Sequence, residues 1–255
     1  MKSVRSCAKS LIERVAGIEL ERLGRKSMLV ADIAKPEEAW YSFRSTLRWV
    51  LQRQRVSHVI DVGANTGQFG KFMRSIYSGR MSSFEPVSSA FDKLRQATRD
   101  DPSWEGYQIA LGPKAGVANI RVAPRSNFSS FLGTNDYCVT RFGERTMGTR
   151  EESVTVRRLD EVLQEISADH TDERIYLKMD TQGFDIEVFS GLGDKLPRVV
   201  ALQSEISLIP IYEHMPHWTE SLEAFEHAGF GVAGMFPVNR DQGRVVEYDC
   251  VLTRI

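Results

Sequence analysis

The segment His58-Val-Ile-Asp-Val-Gly-Ala-Asn-Thr-Gly-Gln-Phe-Gly70 restricts this chain more than any other. It reads as a buried strand ending near Asp61, a glycine turn, and a helix opening near Gln68. Gly63 and Gly67 lack a Cβ, so the backbone can turn tightly there and come close to a ligand. The helix start offers free N–H groups and a partial positive charge, suited to a carboxylate or a phosphate. A second apolar run ends at Phe84-Glu85-Pro86, 24 positions on from Asp61 to Glu85. That is close to the ~20-residue offset at which an acidic side chain grips ribose hydroxyls. Together these features predict an adenosine-type cofactor lying across the first and second strands.

The glycines run G-x-x-x-G-x-x-G, which departs from the dinucleotide fingerprint G-x-G-x-x-G. A phosphate-binding P-loop also fails, because Asn65 and Phe72 stand where glycine and Ser or Thr are required. An acidic residue ahead of the turn, Asp61, repels a pyrophosphate and suits a cofactor bearing an ammonium group. The pattern therefore favours S-adenosylmethionine. A NAD(P)-dependent oxidoreductase and a non-catalytic cofactor-binding protein are the alternatives.

From Val56 onward, short apolar runs alternate with helical stretches. The runs are Val56–Val62, Met81–Phe84, Tyr107–Leu111, Ile175–Met179 and Val199–Gln203; the helical stretches are Gln68–Ser75, Ser88–Thr98, Leu159–Ile166 and Phe184–Ser190. Such alternation predicts an α/β domain, a parallel sheet covered on both faces with ligands at the strands' C-terminal ends. The interval Ala115–Val156 breaks the rhythm with short strands at Val117–Val122 and Val154–Val156 and a long polar loop, Pro124–Arg150, of the kind that carries function. A helix over Trp218–Ala228 and strands near Val232–Phe236 and Val245–Leu252, joined by the turn Asn239–Gly243, end the pattern as a hairpin. Residues 1–55 read as a helical extension and 56–255 as the cofactor-binding domain. Within the extension, one amphipathic helix carries Val4, Cys7, Leu11, Val15 and Ile18. A second runs from Glu37 to about Arg53 with Trp40, Phe43, Leu47 and Val50 on one face.

Four blocks in this order resemble the FkbM family of methyltransferases: Val59–Phe69, Phe84-Glu-Pro, Ala110-Leu-Gly, and Leu177-Lys-Met-Asp-Thr-Gln-Gly-Phe-Asp-Ile-Glu-Val-Phe-Ser-Gly191. The likeness runs from about Val56 to Phe236. It implies a class I methyltransferase (Rossmann-like) fold: a mostly parallel seven-stranded sheet with an antiparallel seventh strand, here with an N-terminal helical extension. It also implies O-methylation of a hydroxyl on a sugar, glycolipid or polyketide-type molecule. Carried over residue by residue, Asp61, Gly63, Asn65 and Gly67 surround the methionine part of S-adenosylmethionine. Glu85 and Pro86 hold the ribose side, and Ala110 and Leu111 line the adenine. Asp180 sits beside the methyl group. Many members have Val-Glu-Gly where this chain has Thr181-Gln-Gly183, so one carboxylate is missing.

An alcohol is a poor nucleophile while it keeps its proton, so a base or a metal is expected at the acceptor; a positioned base contributes about 10²–10⁴-fold. Asp180, at a strand end, is the first candidate, and Glu205 ends the next strand. The two together could hold a divalent cation such as Mg²⁺. Histidine as a residue type can accept a proton near neutral pH, and His214, ahead of His217 on the loop after Ile211, is the preferred histidine base. The loop Arg125–Gly133 mixes hydroxyls, an amide and two phenylalanines, which suits a sugar.

Charge and cysteine content bound the remaining questions. A net charge of −1 with no basic stripe argues against nucleic acid and leaves a small-molecule or glycan acceptor. The cysteines Cys7, Cys138 and Cys250 are far apart and form no CxxC pair, which fits a reducing compartment. With no apolar run of membrane-spanning length and no signal-type core, the expected location is cytoplasmic, with at most peripheral membrane contact through the N-terminal helix. That helix is also a candidate surface for a homodimer.

Overall fold

The computed structural model describes residues 36–168, 170 and 172–255. The amphipathic helix expected over Val4–Ile18, with its membrane and dimer roles, lies outside the described residues. The first described helix, α1 (Pro36–Arg53), starts one residue before its predicted bound. Its Phe43, Leu47, Val50 and Leu51 pack against Val59, Tyr176, Ala201 and Val251 of the sheet. Trp40, expected on the same buried stripe, stays 47% exposed. It instead packs on Phe72, their ring centroids 4.6 Å apart.

After α1 the chain lays down β1 (His58–Val62), α2 (Gln68–Met73), β2 (Arg80–Phe84), α3 (Ser88–Thr98) and β3 (Trp104–Tyr107). Then come β4 (Ala110–Leu111), β5 (Gly116–Val122), α4 (Asp136–Phe142), β6 (Arg150–Arg157), α5 (Leu159–Ile166), β7 (Ile175–Met179) and α6 (Asp185–Ser190). The chain ends with β8 (Val199–Ser207), α7 (Trp218–His227), β9 (Phe230–Asp241) and β10 (Arg244–Arg254). Seven strands form the main sheet in the order β3-β2-β1-β7-β8-β10-β9. All neighbours are parallel except β10, which runs antiparallel to both β8 and β9. Ranked along the chain, β10 is the seventh strand of that sheet, so the antiparallel seventh strand implied by the resemblance is present. The fold is that of a class I methyltransferase.

The residues explain the layering. Every residue of β1 and of β7 is buried, as central strands covered on both faces require. Their polar members are paired. His58 is held between Glu173, 3.0 Å from its Nδ1, and Ser82, 2.9 Å from its Nε2. The register sets Asp61 level with Lys178, and Lys178 Nζ lies 3.1 Å from Asp61 Oδ1.

Two predicted segments differ. Tyr107–Leu111 is not one strand: β3 ends at Tyr107 on the main sheet's edge, and Ala110–Leu111 crosses to a separate three-stranded sheet, β4-β6-β5. Ala110 and Leu111 are both buried there, so the break lets one apolar stretch serve two sheets. The interval Pro124–Arg150 is not a bare loop either. It holds a 3₁₀ turn at Ser126–Phe128 and the helix α4, capped by Asn135 accepting from the Cys138 N–H. Phe128 and Cys138 are buried with Ile211, Tyr212 and Val246, which anchors the segment. No helix among the described residues is long and apolar enough to cross a membrane.

Candidate active site

The turn after β1 is pinned to β2: the Gly63 and Ala64 N–H groups both donate to the Phe84 carbonyl, each at 3.0 Å. Gly63 has φ 74, and a Cβ built there would stand 2.0 Å from the Asp180 carbonyl oxygen. Only glycine fits both the dihedral and the gap. Asn65 follows in the left-handed region at φ 49. Its N–H donates to Glu85 Oε2 at 2.8 Å, and the Val87 N–H donates to Glu85 Oε1 at 2.8 Å. Glu85 is thus fixed by two backbone donors at the end of β2. Burial pushes its carboxyl up to about 7 in spite of them.

Gly63, Asn65, Glu85, Pro86, Ala110 and Leu111, six of the eight residues expected around the cofactor, line one cavity. Ile109, Ala110 and Leu111 give it an apolar floor, and Phe131 and Phe184, 5.0 Å apart by ring centroid, close its far side. Ser126 and Asn127 of the acceptor-type loop border it; Ser126 Oγ donates to Asn65 Oδ1 at 2.9 Å.

The other two are placed elsewhere. Asp61 is 1% exposed and lines no described cavity. Its charge faces Lys178, with Ser83 Oγ donating at 3.3 Å, so the carboxylate forms an internal ion pair one residue before Val62, the strand end ahead of the glycine turn. Gly67 (φ 81) turns the chain into α2, and its neighbours are Leu94 and Trp104.

Asp180 is where the strand pattern put it, just past β7. Its Oδ1 accepts from Gln182 Nε2 at 2.9 Å, and its Oδ2 lies 3.4 Å from Lys178 Nζ. The same Gln182 Nε2 donates to Glu205 Oε2 at 2.9 Å, and Tyr212 OH donates to Gln182 Oε1 at 2.7 Å. The phenol fixes the amide, so its NH₂ end stands between the two carboxylates proposed for a cation. A donor group is the wrong partner for Mg²⁺, and the residues do not fit a metal. Among the described residues no cluster of three or more His, Cys, Asp or Glu is placed to hold one. Burial and the charges of Asp180, Glu247 and Asp249 hold Glu205 well above the usual carboxylate range. It borders a separate small cleft with Asp185.

His214 is exposed, at φ 60, and lines neither cavity beside Asp180. The structure does not bring it to the site. His217 caps α7, its Nδ1 2.7 Å from Thr219 Oγ1.

A second cavity of about 330 Å³ opens on the α1 side of the same turn, sharing Gly63, Asn65, Asn127 and Asp180 with the first. Trp40, Phe43, Phe69 and Phe72 form one wall, and Lys178, Gln203 and Asp249 stand among the other lining groups. Sequence reasoning assigned these aromatics to the core or passed over them. It also missed Gln203 and Asp249, polar side chains next to apolar neighbours (Leu202; Cys250 and Val251) on β8 and β10.

A methyltransferase FkbM domain matches residues 61–232, about two thirds of the sequence. The chain belongs to the FkbM methyltransferase family. It is an S-adenosylmethionine-dependent methyltransferase. No curated protein matches it. Among solved structures, a rRNA methylase from Streptococcus thermophilus is 12% identical, covering 88% of this chain and 99% of its own, with a TM-score of 0.46. Magnesium protoporphyrin IX methyltransferase from Synechocystis PCC 6803, solved with bound S-adenosylmethionine, is 9% identical over 100% of this chain and 99% of its own, with a TM-score of 0.45.

Proposed function

We propose that this FkbM-family enzyme methylates a hydroxyl oxygen on a sugar, glycolipid or polyketide-type small molecule. The observation that carries the donor's placement is Glu85. It is a carboxylate locked by two backbone N–H groups at the rim of a cavity that has an apolar floor and a Cβ-free turn. Those features complement adenosine: the carboxylate oxygens keep lone pairs for two ribose hydroxyls, and Ile109, Ala110 and Leu111 suit the flat base. When bound, S-adenosylmethionine supplies a methyl group already activated by its sulfonium. The chain's task is then mostly orientation, worth roughly 7–11 kcal/mol at best.

A neutral, hydroxyl-bearing acceptor is supported by the amides of Asn127 and Gln203, which line the second cavity with Asp180. The nearly even charge balance supports a small molecule over nucleic acid. The buried free thiols of Cys138 and Cys250 fit a cytoplasmic setting. Calorimetric titration with S-adenosylmethionine, S-adenosylhomocysteine and NAD tests the donor. Binding of the first two, weakened strongly by Glu85→Ala, is expected; binding of NAD alone would overturn it. A panel of methyl glycosides and macrolide alcohols with labelled donor tests the acceptor class.

A further inference from the structure

We propose that the acceptor hydroxyl docks in the second cavity and gives its proton to Asp249. This rests on the methyl-transfer reading above and names the group that reading lacks. The shared rim places the cavity next to the donor: Gly63, Asn65 and Asp180 border both spaces. Its aromatic wall, with Trp40 against Phe72 at 4.6 Å and Phe43 stacked on Phe72 at 5.9 Å, offers a flat apolar surface to one face of a ring-shaped acceptor. Its charged members are Asp180, Asp249 and Lys178, and Lys178 is already held by Asp61 and Asp180. A carboxylate or phosphate acceptor would be repelled there, whereas an alcohol would not.

The other candidates for the proton are engaged. Lys178 is kept protonated by Asp61 and Asp180. Both oxygens of Asp180 face donors, Gln182 and Lys178, so it orients rather than accepts. Asp249 differs. Its Oδ1 accepts from Gln203 Nε2 at 2.8 Å, while Oδ2 has no hydrogen-bond partner among the described residues. Tyr176 OH donates to Gln203 Oε1 at 2.9 Å, and both residues are almost fully buried, so the phenol fixes which end of the amide meets Asp249. Burial, with Asp180 and Asp185, pushes the Asp249 carboxyl up to about 6, against Gln203 and Lys178. Glu205 on β8 and Glu247 on β10 also feel its charge, as do Tyr176 and Cys250. A base ionised just below neutral pH is matched to its task.

The step balances. The acceptor O–H bond breaks, its proton passing to Asp249 Oδ2, as the oxygen forms a bond to the methyl carbon. The methyl–sulfur bond breaks and its electron pair stays on sulfur. The products are a methyl ether, S-adenosylhomocysteine and a carboxylic acid that returns its proton to water.

The test uses the full chain, labelled S-adenosylmethionine and a panel of methyl glycosides. Wild type should transfer label at a rate that rises with pH through about 6 and then levels. Asp249→Asn can still accept from Gln203; it should bind S-adenosylhomocysteine as wild type does, lose about 10²–10⁴-fold in kcat, and lose the pH step. Transfer by Asp249→Asn within about threefold of wild type, with the step intact, overturns the base assignment alone. No transfer by wild type to any glycoside, with the donor bound, overturns the acceptor reading and this proposal with it. Trp40→Ala changes a half-exposed side chain, so it tests the docking place without burdening the fold. A raised acceptor KM with unchanged donor affinity is expected, and an unchanged KM would place the acceptor elsewhere.

Discussion

Glu85 makes donor affinity depend on pH in a calculable way. Its carboxyl is only 6% exposed and titrates at about 7 in the free enzyme. Ribose hydroxyls donate to it, so binding favours the charged form, and a raised pKa means that protonation competes with the ligand. With a midpoint of about 7, roughly nine-tenths of the sites are ionised at pH 8 and one-tenth at pH 6. Apparent affinity scales with the competent fraction, so it should fall about tenfold between those pH values, or about 1.4 kcal/mol. Binding at pH 6 should also release nearly one proton. The donor's own amino group titrates near this range, so the cleaner probe is 5′-methylthioadenosine, which keeps the adenosine and lacks the amino acid. Calorimetry at several pH values in two buffers of different ionisation enthalpy reads both affinity and proton release. Glu85→Gln should bind more weakly at pH 8 and lose most of the slope. A wild-type affinity that stays flat from pH 6 to 8, with no proton exchanged, would refute the placement of ribose on this carboxylate.

Gly63→Ala should abolish donor binding or folding, because the new methyl would meet the Asp180 carbonyl oxygen at 2.0 Å; calorimetry and circular dichroism distinguish the two outcomes. Lys178→Met leaves the buried Asp61 without its partner in the sheet, and urea unfolding should show a loss of about 3–5 kcal/mol. His214→Ala should leave labelled methyl transfer within about twofold of wild type, since surface changes away from the site are mild. Glu173, paired with His58, Arg80 and Arg198, has its carboxyl lowered to about 2. Its stabilisation is therefore complete above about pH 4.5 and is lost as the pH falls toward 2. Glu173→Gln should flatten that part of the urea stability profile.

What was legible in the sequence follows the range of each physical signal. Helices Ser88–Thr98 and Leu159–Ile166 match their predicted bounds because apolar spacing of three and four is a local pattern. The glycine turn and Glu85 were legible because a forced dihedral and a strand-end carboxylate leave their mark within a few residues. The split of Tyr107–Leu111 was not, since a continuous apolar run does not record which sheet covers each part of it. Asp61 showed only part of its setting for a related reason. Its identity suggested a ligand charge, but the partner that neutralises it, Lys178, is set beside it only by parallel pairing of β1 with β7.

The same consideration explains why the acceptor side was harder to read than the donor side. The donor elements follow one another along the chain, from β1 through the turn to β2. The second cavity draws Trp40, Phe72, Lys178, Gln203 and Asp249 from α1, α2, β7, β8 and β10, and only the closed sheet gathers them. Asp249 depends on the reversed strand in particular. The β10–β8 pairing sets Asp249 opposite Glu205, and Gln203 is two residues back along β8, on the same face of a pleated strand. Gln203 can thus reach Asp249 from one side while Tyr176, on β7, anchors its other end. If this relay positions the base, Gln203→Ala should reduce kcat more than donor affinity and shift the midpoint of the pH–rate profile, as losing a donor to the charged form raises a carboxyl's pKa. A Gln203→Ala enzyme with an unmoved midpoint would show that Asp249 does not report on the relay.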